Sequence, residues 1–145
     1  MYRKIDHVAI AVRSIESALK VYAGPMGFHG CSVEEIAEQK TRVALLPVGE
    51  SRIELLEAAG DDSPVAGFIS KRGEGLHHIC FEVDGLAEEL QKLRKAGVRI
   101  IEPAPRRGAE GSLIAFVHPS GTCGVLVELR QPKSKRSHEF HESEV

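Results

Sequence analysis

Two histidines and two glutamates occupy corresponding positions in the two halves of the sequence. His7 and His78 each lie at the start of an apolar run, in "DHVAIAV" and "HHICFEV". Glu54 in "RIELLE" and Glu128 in "LVELRQ" follow later in each half. Imidazole and carboxylate groups bind divalent metals and also transfer protons, so these four residues are the first candidates for chemistry.

The alternation of side chains along a strand predicts which histidine faces the site. Successive residues point to opposite faces, and in both runs one face is wholly apolar while the other is small or polar. The apolar faces carry Val8, Ile10 and Val12 in the first run and Ile79, Phe81 and Val83 in the second; the other faces carry His7, Ala9 and Ala11, and His78, Cys80 and Glu82. We expect helices to cover the apolar faces and an open cleft to border the others. His77 has the parity of the core and matches Asp6, which predicts a structural role or support for a neighbouring ligand.

The two runs belong to an internal repeat, which predicts the architecture. After each run, apolar residues recur at helical spacing: Ile15, Leu19 and Tyr22 in the first half, and Leu86, Leu90 and Leu93 in the second. Ser14 is a candidate N-cap, and Gly27 and Gly97 are candidate helix ends. Three shorter strands are predicted after each helix, near 28–35, 41–47 and 51–57, and near 98–102, 112–118 and 124–130. Each half is therefore a βαβββ module, and the class is α+β.

The modules extend over about 4–58 and 76–131, and together we expect them to form one domain over 1–131. The segment 59–75 is predicted to be a linker with a short apolar turn at 65–69, bounded by proline and glycine. The segment 132–145 is charged and has few apolar residues, which favours a disordered tail.

The glutamates strengthen the case for a site between the modules. Apolar neighbours flank both Glu54 and Glu128, so both carboxylates must leave the core. One such residue is usually only solvent-facing, but its recurrence with the histidines favours convergence about a pseudo-twofold axis. Two imidazoles and two carboxylates with no thiolate suit Co²⁺, Mn²⁺, Zn²⁺, Ni²⁺ or Fe²⁺, with positions open for substrate oxygens.

Composition excludes several classes of protein. The chain has 145 residues, is 42% hydrophobic and 28% charged, and carries a formal net charge of −2, as is ordinary for a globular domain. No basic stripe interleaved with aromatics is present, so nucleic acid is not an expected partner. No apolar run approaches the length of a membrane span and no signal-peptide pattern is present, which favours a cytoplasmic protein. Cys31, Cys80 and Cys123 are widely spaced, so we expect reduced thiols.

The motifs "DHVAIAV", "GLHHICFEV" and "HPSGTCGVLVEL" on a duplicated βαβββ pattern resemble the vicinal oxygen chelate superfamily and, within it, the methylmalonyl-CoA epimerases. The resemblance covers residues 4 to about 131. It implies two modules paired into an open metal-binding barrel, with one divalent ion per chain, Co²⁺ being the first candidate. By resemblance His7, His78 and Glu128 are metal ligands, and Glu54 takes a fourth position where some relatives have Gln. A homodimer is also implied.

The chemistry implied is epimerisation at C2 of an acyl-CoA. The resemblance suggests a metal that stabilises the enolate while Glu128 and Glu54 carry protons on its two faces. A glutamate assigned as base in one bacterial relative is replaced here by Val43. Basic residues predicted near the cleft rim are candidates for binding coenzyme A, although solvated surface charge explains them equally well: Lys71, Arg72, Arg106 and Arg107.

Three other functions are compatible with this pattern. A glyoxalase I-like lyase shares the fold and ligand set and differs in its substrate. An extradiol dioxygenase would use two histidines and one glutamate on Fe²⁺, although its usual chain is longer. A metal-free module that binds a small molecule keeps the fold but generally lacks the four ligands.

Overall fold

The computed structural model describes residues 1–134 and contains two copies of the same sequence of elements. The first copy consists of β1 (Tyr2–Ala11), α1 (Ile15–Tyr22), β2 (Ser32–Ile36), β3 (Thr41–Val48) and β4 (Ser51–Ala58). The helix α2 (Pro64–Arg72) follows, and the second copy consists of β5 (Gly75–Val83), α3 (Leu86–Lys95), β6 (Ile100–Arg107), β7 (Leu113–Val117) and β8 (Val127–Gln131). The predicted βαβββ duplication and the α+β class are confirmed.

All eight strands form one curled sheet in the order β2-β3-β4-β1-β5-β8-β7-β6. The first strands of the two copies, β1 and β5, pair antiparallel at its centre. Each then pairs in parallel with the last strand of its own copy, β1 with β4 and β5 with β8. The order is therefore symmetric about the central pair, and residues at corresponding positions on these four strands face each other across the middle.

The helices α1 and α3 cover one face of the sheet, as the apolar periodicity predicts. Leu86 and Leu90 of α3 pack on Val83 and Leu129, while Ile15 of α1 packs in the corresponding cluster of the first copy. Ser14 caps α1 by accepting a hydrogen bond from the Ser17 amide at 3.1 Å, a contact that typically stabilises a helix by about 1 kcal/mol.

The two predicted glycine stops behave differently. Gly97 follows the α3 C-cap with a positive φ of 82°, a conformation that glycine adopts without strain. The helix α1 instead ends at Tyr22, and Gly27 belongs to the turn after it.

The linker differs most from its prediction. Instead of a short apolar turn it forms the nine-residue helix α2, capped by Ser63 with Pro64 in its first turn. Val65 and Phe68 of α2 pack against Ala9 and Ala11, both of which have no exposed surface. The small-residue face of β1 is therefore covered by a helix beyond His7 and does not line an open cleft over its whole length.

Several strand boundaries also differ from expectation. The strand β2 begins at residue 32 rather than near 28, and β6 continues to residue 107 rather than ending near 102. Prediction of a disordered tail at 132–145 concerns mainly residues outside those described. Within residues 1–134, no helix combines the length and apolarity that crossing a membrane requires.

Candidate functional site

The central strand pair brings the two predicted histidines together. In the β1/β5 register His7 lies opposite Cys80, and Ala9 lies opposite His78. The two rings meet edge to face with centroids 5.2 Å apart, and their Nε2 atoms are 3.2 Å from each other. Both side chains are buried.

Glu128 completes a group of three. The strand β8 runs parallel to β5 with Glu128 beside Cys80, which directs the carboxylate towards the histidine pair. Its Oε1 lies 3.1 Å from His78 Nε2 and 3.4 Å from His7 Nε2. We call His7, His78 and Glu128 the triad; their ligand atoms all lie within 4.8 Å of one another, and all three residues are buried.

The triad fits a divalent metal. It offers two imidazole nitrogens and one carboxylate oxygen that converge on one point, a donor set that suits Co²⁺, Mn²⁺, Zn²⁺, Ni²⁺ or Fe²⁺. Three ligands leave coordination positions free for other groups, as catalytic metal sites require.

Glu54 reaches His7 from the opposite side of the ring. Its strand β4 lies parallel to β1 with Glu54 beside Ala9. The Oε2 atom is 3.2 Å from His7 Nδ1 and accepts a hydrogen bond from Arg52 Nε at 2.9 Å. Glu54 therefore contacts the histidine nitrogen that faces away from the triad, unlike Glu128.

A β-bulge places another residue directly behind each histidine. In the central pair Ile5 lies opposite Phe81 and His7 opposite Cys80, so Asp6 is an extra residue on β1. Bulges re-aim side chains, and here Asp6 Oδ2 comes within 2.7 Å of His7 Nδ1.

His77 is the corresponding extra residue on β5. His78 lies opposite Ala9 and Leu76 opposite Ile10, which leaves His77 unpaired in the register. Its Nδ1 atom is 2.8 Å from His78 Nδ1. The expected support for a ligand is therefore present, although strict alternation would have pointed His77 into the core.

Sequence reasoning assigned no role to Asp6, which is the centre of a buried charge network. Its carboxylate also lies 3.3 Å from Arg130 and 3.6 Å from Arg52. Burial alone would raise the pKa of Asp6, but the hydrogen bond and charge of His7, with the charges of Arg52 and Arg130, lower it. The only sequence signal for this role was the position of Asp6 before His7, matching that of His77 before His78.

Electrostatics distinguish the residues around the triad. Burial alone would lower the pKa of His7, but its hydrogen bonds to Asp6, Cys80 and Glu128 raise that pKa above the ordinary value. Burial alone would raise the pKa of Glu128, but hydrogen bonds and charge from His7 and His78 lower it to about 2. Glu128 is therefore ionised at neutral pH.

His77 and Cys80 are neutral at the same pH. Burial, followed by the charges of His78 and Arg72, lowers the pKa of His77 to about 4. Burial raises the pKa of the Cys80 thiol to about 11, so Cys80 is a protonated thiol beside the site. Cys31, Cys80 and Cys123 are all free, as expected.

The four basic residues considered for coenzyme A lie in two places. Lys71 and Arg72 belong to the last turn of α2 and line a cavity of about 400 Å³ next to His77. Arg106 and Arg107 lie on β6, where the Arg106 guanidinium stacks over the Phe116 ring at 5.7 Å. The four candidates therefore belong to two different elements, α2 and β6.

The chain is similar to proteins of known and unknown activity. It is 44% identical over 139 residues to an uncharacterized protein of Bacillus subtilis, covering 96% of this chain and 99% of that protein. It is 35% identical over 133 residues to the ethylmalonyl-CoA/methylmalonyl-CoA epimerase of Cereibacter sphaeroides, covering 90% of this chain and 99% of that protein. A solved methylmalonyl-CoA epimerase in complex with methylmalonyl-CoA and NH4+ superimposes with a TM-score of 0.82 at 35% identity, covering 92% of this chain and 97% of the other.

A family model also matches residues 6–116, which include His7, Glu54 and His78. That model describes the glyoxalase/bleomycin resistance protein/dioxygenase superfamily, and the match covers more than half of the chain. The resemblance to vicinal oxygen chelate proteins is therefore confirmed, and the chain belongs to this superfamily.

Proposed function

We propose that the protein interconverts (2R)- and (2S)-methylmalonyl-CoA by removing and returning the proton at C2. The observation that carries the proposal is a buried triad with an ionised carboxylate, in a chain 35% identical to epimerases of this substrate across almost their full length. A group that takes a proton at neutral pH has to be ionised, and Glu128 is.

The difficult part of the reaction is the charge that develops when C2 loses its proton. That carbon lies between a thioester and a carboxylate, and the product of deprotonation is an enolate. A divalent metal held by the triad would supply Lewis-acid stabilisation of this charge. Asp6 and His77 keep the two histidines oriented, since each lies against the Nδ1 atom of its neighbour.

Glu128 and Glu54 are the proposed proton carriers for the two faces of C2. The low pKa of Glu128 makes it a weak base, so the reaction relies on acidification of C2 as well. Val43 is buried in the cluster that includes Ala9, Ala11 and Leu56, so it contributes packing where one relative has a carboxylate. Glu54 is proposed as the second carrier and fourth ligand because of its matching place in the repeat; in the conformation described, its Oε2 lies against His7 Nδ1, on the side of the ring away from the triad.

The proposed substrate can be tested by isotope exchange. Methylmalonyl-CoA incubated with the protein in D₂O should gain deuterium at C2, and mass spectrometry measures this gain. A strong chelator should suppress the exchange. No exchange with metal-loaded protein would contradict the proposal. Lyase activity on a glutathione hemithioacetal, or oxygen consumption with a catechol, would then favour the glyoxalase or dioxygenase alternative.

The metal and the oligomeric state are further parts of the proposal. We propose one divalent ion per chain, with Co²⁺ ahead of Mn²⁺, Zn²⁺, Ni²⁺ and Fe²⁺, and elemental analysis after dialysis measures both the identity of the metal and its stoichiometry.

We also propose a homodimer, supported by exposed apolar side chains on the sheet such as Ile5 at 44% and Val48 at 45% exposure. A monomer by light scattering at micromolar concentration would contradict it.

A further inference from the structure

Arg52 lies beside the two carboxylates that stand behind His7. It is opposite His7 in the parallel β1/β4 register, and it shares a face of β4 with Glu54, two residues further on. Its Nε donates a hydrogen bond to Glu54 Oε2 at 2.9 Å, and its guanidinium lies 3.6 Å from Asp6 Oδ2. One cation therefore contacts the same two oxygen atoms that approach His7 Nδ1.

His7 can donate a hydrogen bond to only one of these oxygens. An imidazole nitrogen carries at most one hydrogen, and Asp6 Oδ2 is closer to His7 Nδ1, at 2.7 Å, than Glu54 Oε2 is, at 3.2 Å. Asp6 therefore takes the hydrogen bond from His7, and Glu54 accepts its own from Arg52. The Glu54 side chain is only 13% exposed, so water replaces that contact poorly. The orientation of Glu54 thus depends on Arg52.

The second copy has leucine where the first has this arginine. In the repeat that aligns "RIELLE" with "LVELRQ", Leu126 matches Arg52 and Glu128 matches Glu54. The two glutamates lie at equivalent backbone positions, since Glu54 is beside Ala9 and Glu128 is beside Cys80, the residue that matches Ala9. Glu128 nevertheless contacts the Nε2 atoms of the triad. The different contacts of the two glutamates therefore accompany the exchange of arginine for leucine.

We propose that Arg52 is a positioning residue that holds Glu54 outside the triad, so that Glu54 ligates a metal there only by leaving Arg52. The proposal rests on the proposed function, in which Glu54 is both the fourth ligand and a proton carrier. These two roles conflict, because a carboxylate bound to a metal is a weaker base. Arg52 favours the free carboxylate and thereby sets how much of the time Glu54 is a ligand.

The first experiment measures Co²⁺ affinity in a double-mutant cycle of Arg52→Leu and Glu54→Ala. With Glu54 present, Arg52→Leu should tighten Co²⁺ binding about tenfold and slow its release to a chelator by a similar factor, because the freed carboxylate coordinates. With Glu54→Ala the gain should shrink to about threefold or less, the effect of removing one nearby positive charge. Weaker binding in Arg52→Leu, or the same change with and without Glu54, would overturn the proposal.

Three further variants separate positioning from damage to the fold. Arg52→Lys keeps the positive charge and should bind Co²⁺ within about threefold of wild type. Arg52→Met keeps the length of the aliphatic chain and should repeat the result of Arg52→Leu if leucine lowers the melting temperature. Arg42→Leu is the matched control and should leave Co²⁺ affinity unchanged, because Arg42 contacts Glu57 at 2.8 Å on the opposite face of β4. Tightening of Co²⁺ binding by Arg52→Lys as large as that by Arg52→Leu would contradict positioning by the cation.

The second experiment compares metal affinity with C2 exchange. Metal-saturated Arg52→Leu should exchange deuterium at C2 about tenfold more slowly than wild type although it binds Co²⁺ more tightly, because metal-bound Glu54 takes up a proton less readily. Damage to the fold would lower both quantities together. Arg52→Lys should recover most of the rate. Exchange at the wild-type rate in metal-saturated Arg52→Leu would contradict the proposal.

The two proposals fail separately. If the Co²⁺ affinities follow the expected cycle and wild type shows no C2 exchange, Arg52 positions Glu54 and the epimerase proposal is wrong. If wild type exchanges deuterium at C2 and Arg52→Leu weakens Co²⁺ binding both with and without Glu54, the epimerase proposal stands and Arg52 does not position Glu54.

Discussion

The two copies of the module place different residues against the Nδ1 atom of their histidine. Each central strand has a bulge immediately before its histidine, and the bulged residue contacts the Nδ1 atom of that histidine. In the first copy this residue is Asp6, a buried carboxylate paired with Arg52 and Arg130. In the second it is His77, which is neutral because burial lowers its pKa to about 4.

The glutamates differ between the copies as well. Glu128 faces the Nε2 atoms of both histidines, whereas Glu54 faces Nδ1 of His7 and is held by Arg52. Duplication therefore sets where the backbone places a residue, and the neighbours decide which atom it contacts. This asymmetry predicts unequal effects for matched substitutions.

The largest difference is expected between the two glutamates. Glu128→Gln removes the ionised group that lies within the triad, and loss of a general base typically costs about 10²- to 10⁴-fold in rate. Glu54→Gln should retain metal and part of the activity, because an amide oxygen still coordinates. C2 deuterium exchange in metal-saturated protein measures both, with Glu35→Gln on the exposed edge strand β2 as control. Wild-type exchange in Glu128→Gln with none in Glu54→Gln would reverse the two roles.

A second contrast concerns the adjacent histidines. His78→Ala removes a nitrogen of the triad and should abolish tight metal binding, whereas His77→Ala removes only a contact behind it and should cost about tenfold or less. Elemental analysis after dialysis, with calorimetric titration of the metal, distinguishes the variants. Equal metal loss in both would contradict the assignment of His78 as ligand and His77 as its support.

Asp6, the charged neighbour of His7, should matter more for metal affinity than His77, the neutral neighbour of His78. Because Asp6 contacts His7 Nδ1, Asp6→Ala should weaken metal binding by about 10- to 100-fold, and Asp6→Asn, whose amide oxygen still accepts a hydrogen bond, should weaken it less. The control is Asp84→Ala, an exposed aspartate paired with the N-terminus. If Asp6→Asn and Asp6→Ala bind metal like wild type, Asp6 does not orient His7.

The smallest expected effect is the release of a proton when the metal binds. The carboxylates around His7 raise its pKa, so the metal-free protein holds His7 protonated at neutral pH, and metal binding must release about one proton from it. Metal affinity should therefore increase with pH through the neutral range. Titrations in buffers of different ionisation enthalpy measure the release. Metal binding with no proton release at pH 7 would contradict a raised pKa for His7.

Local pattern in the sequence was enough to predict most of the elements. Alternation in "HVAIAV" and "HICFEV" and the helical spacing after them depend on neighbours along the chain, and β1, α1, β5 and α3 all formed. The repeat also predicted that His7, His78, Glu54 and Glu128 would converge, and the structure brings three of them together while Glu54 lies at the far side of His7. These features could be predicted because each depends on residues within one element and its copy.

Only the tertiary structure decided which side chains share a contact. Strict alternation misplaced His77 and gave Asp6 no role, because a bulge is created by the pairing of two distant strands. The sequence predicted a short apolar turn in the linker. The segment instead forms α2, because Val65 and Phe68 pack against Ala9 and Ala11. Glu54 has the same place in its copy as Glu128, but Arg52 contacts both Asp6 and Glu54 beside His7, and this contact depends on the pairing of β1 with β4.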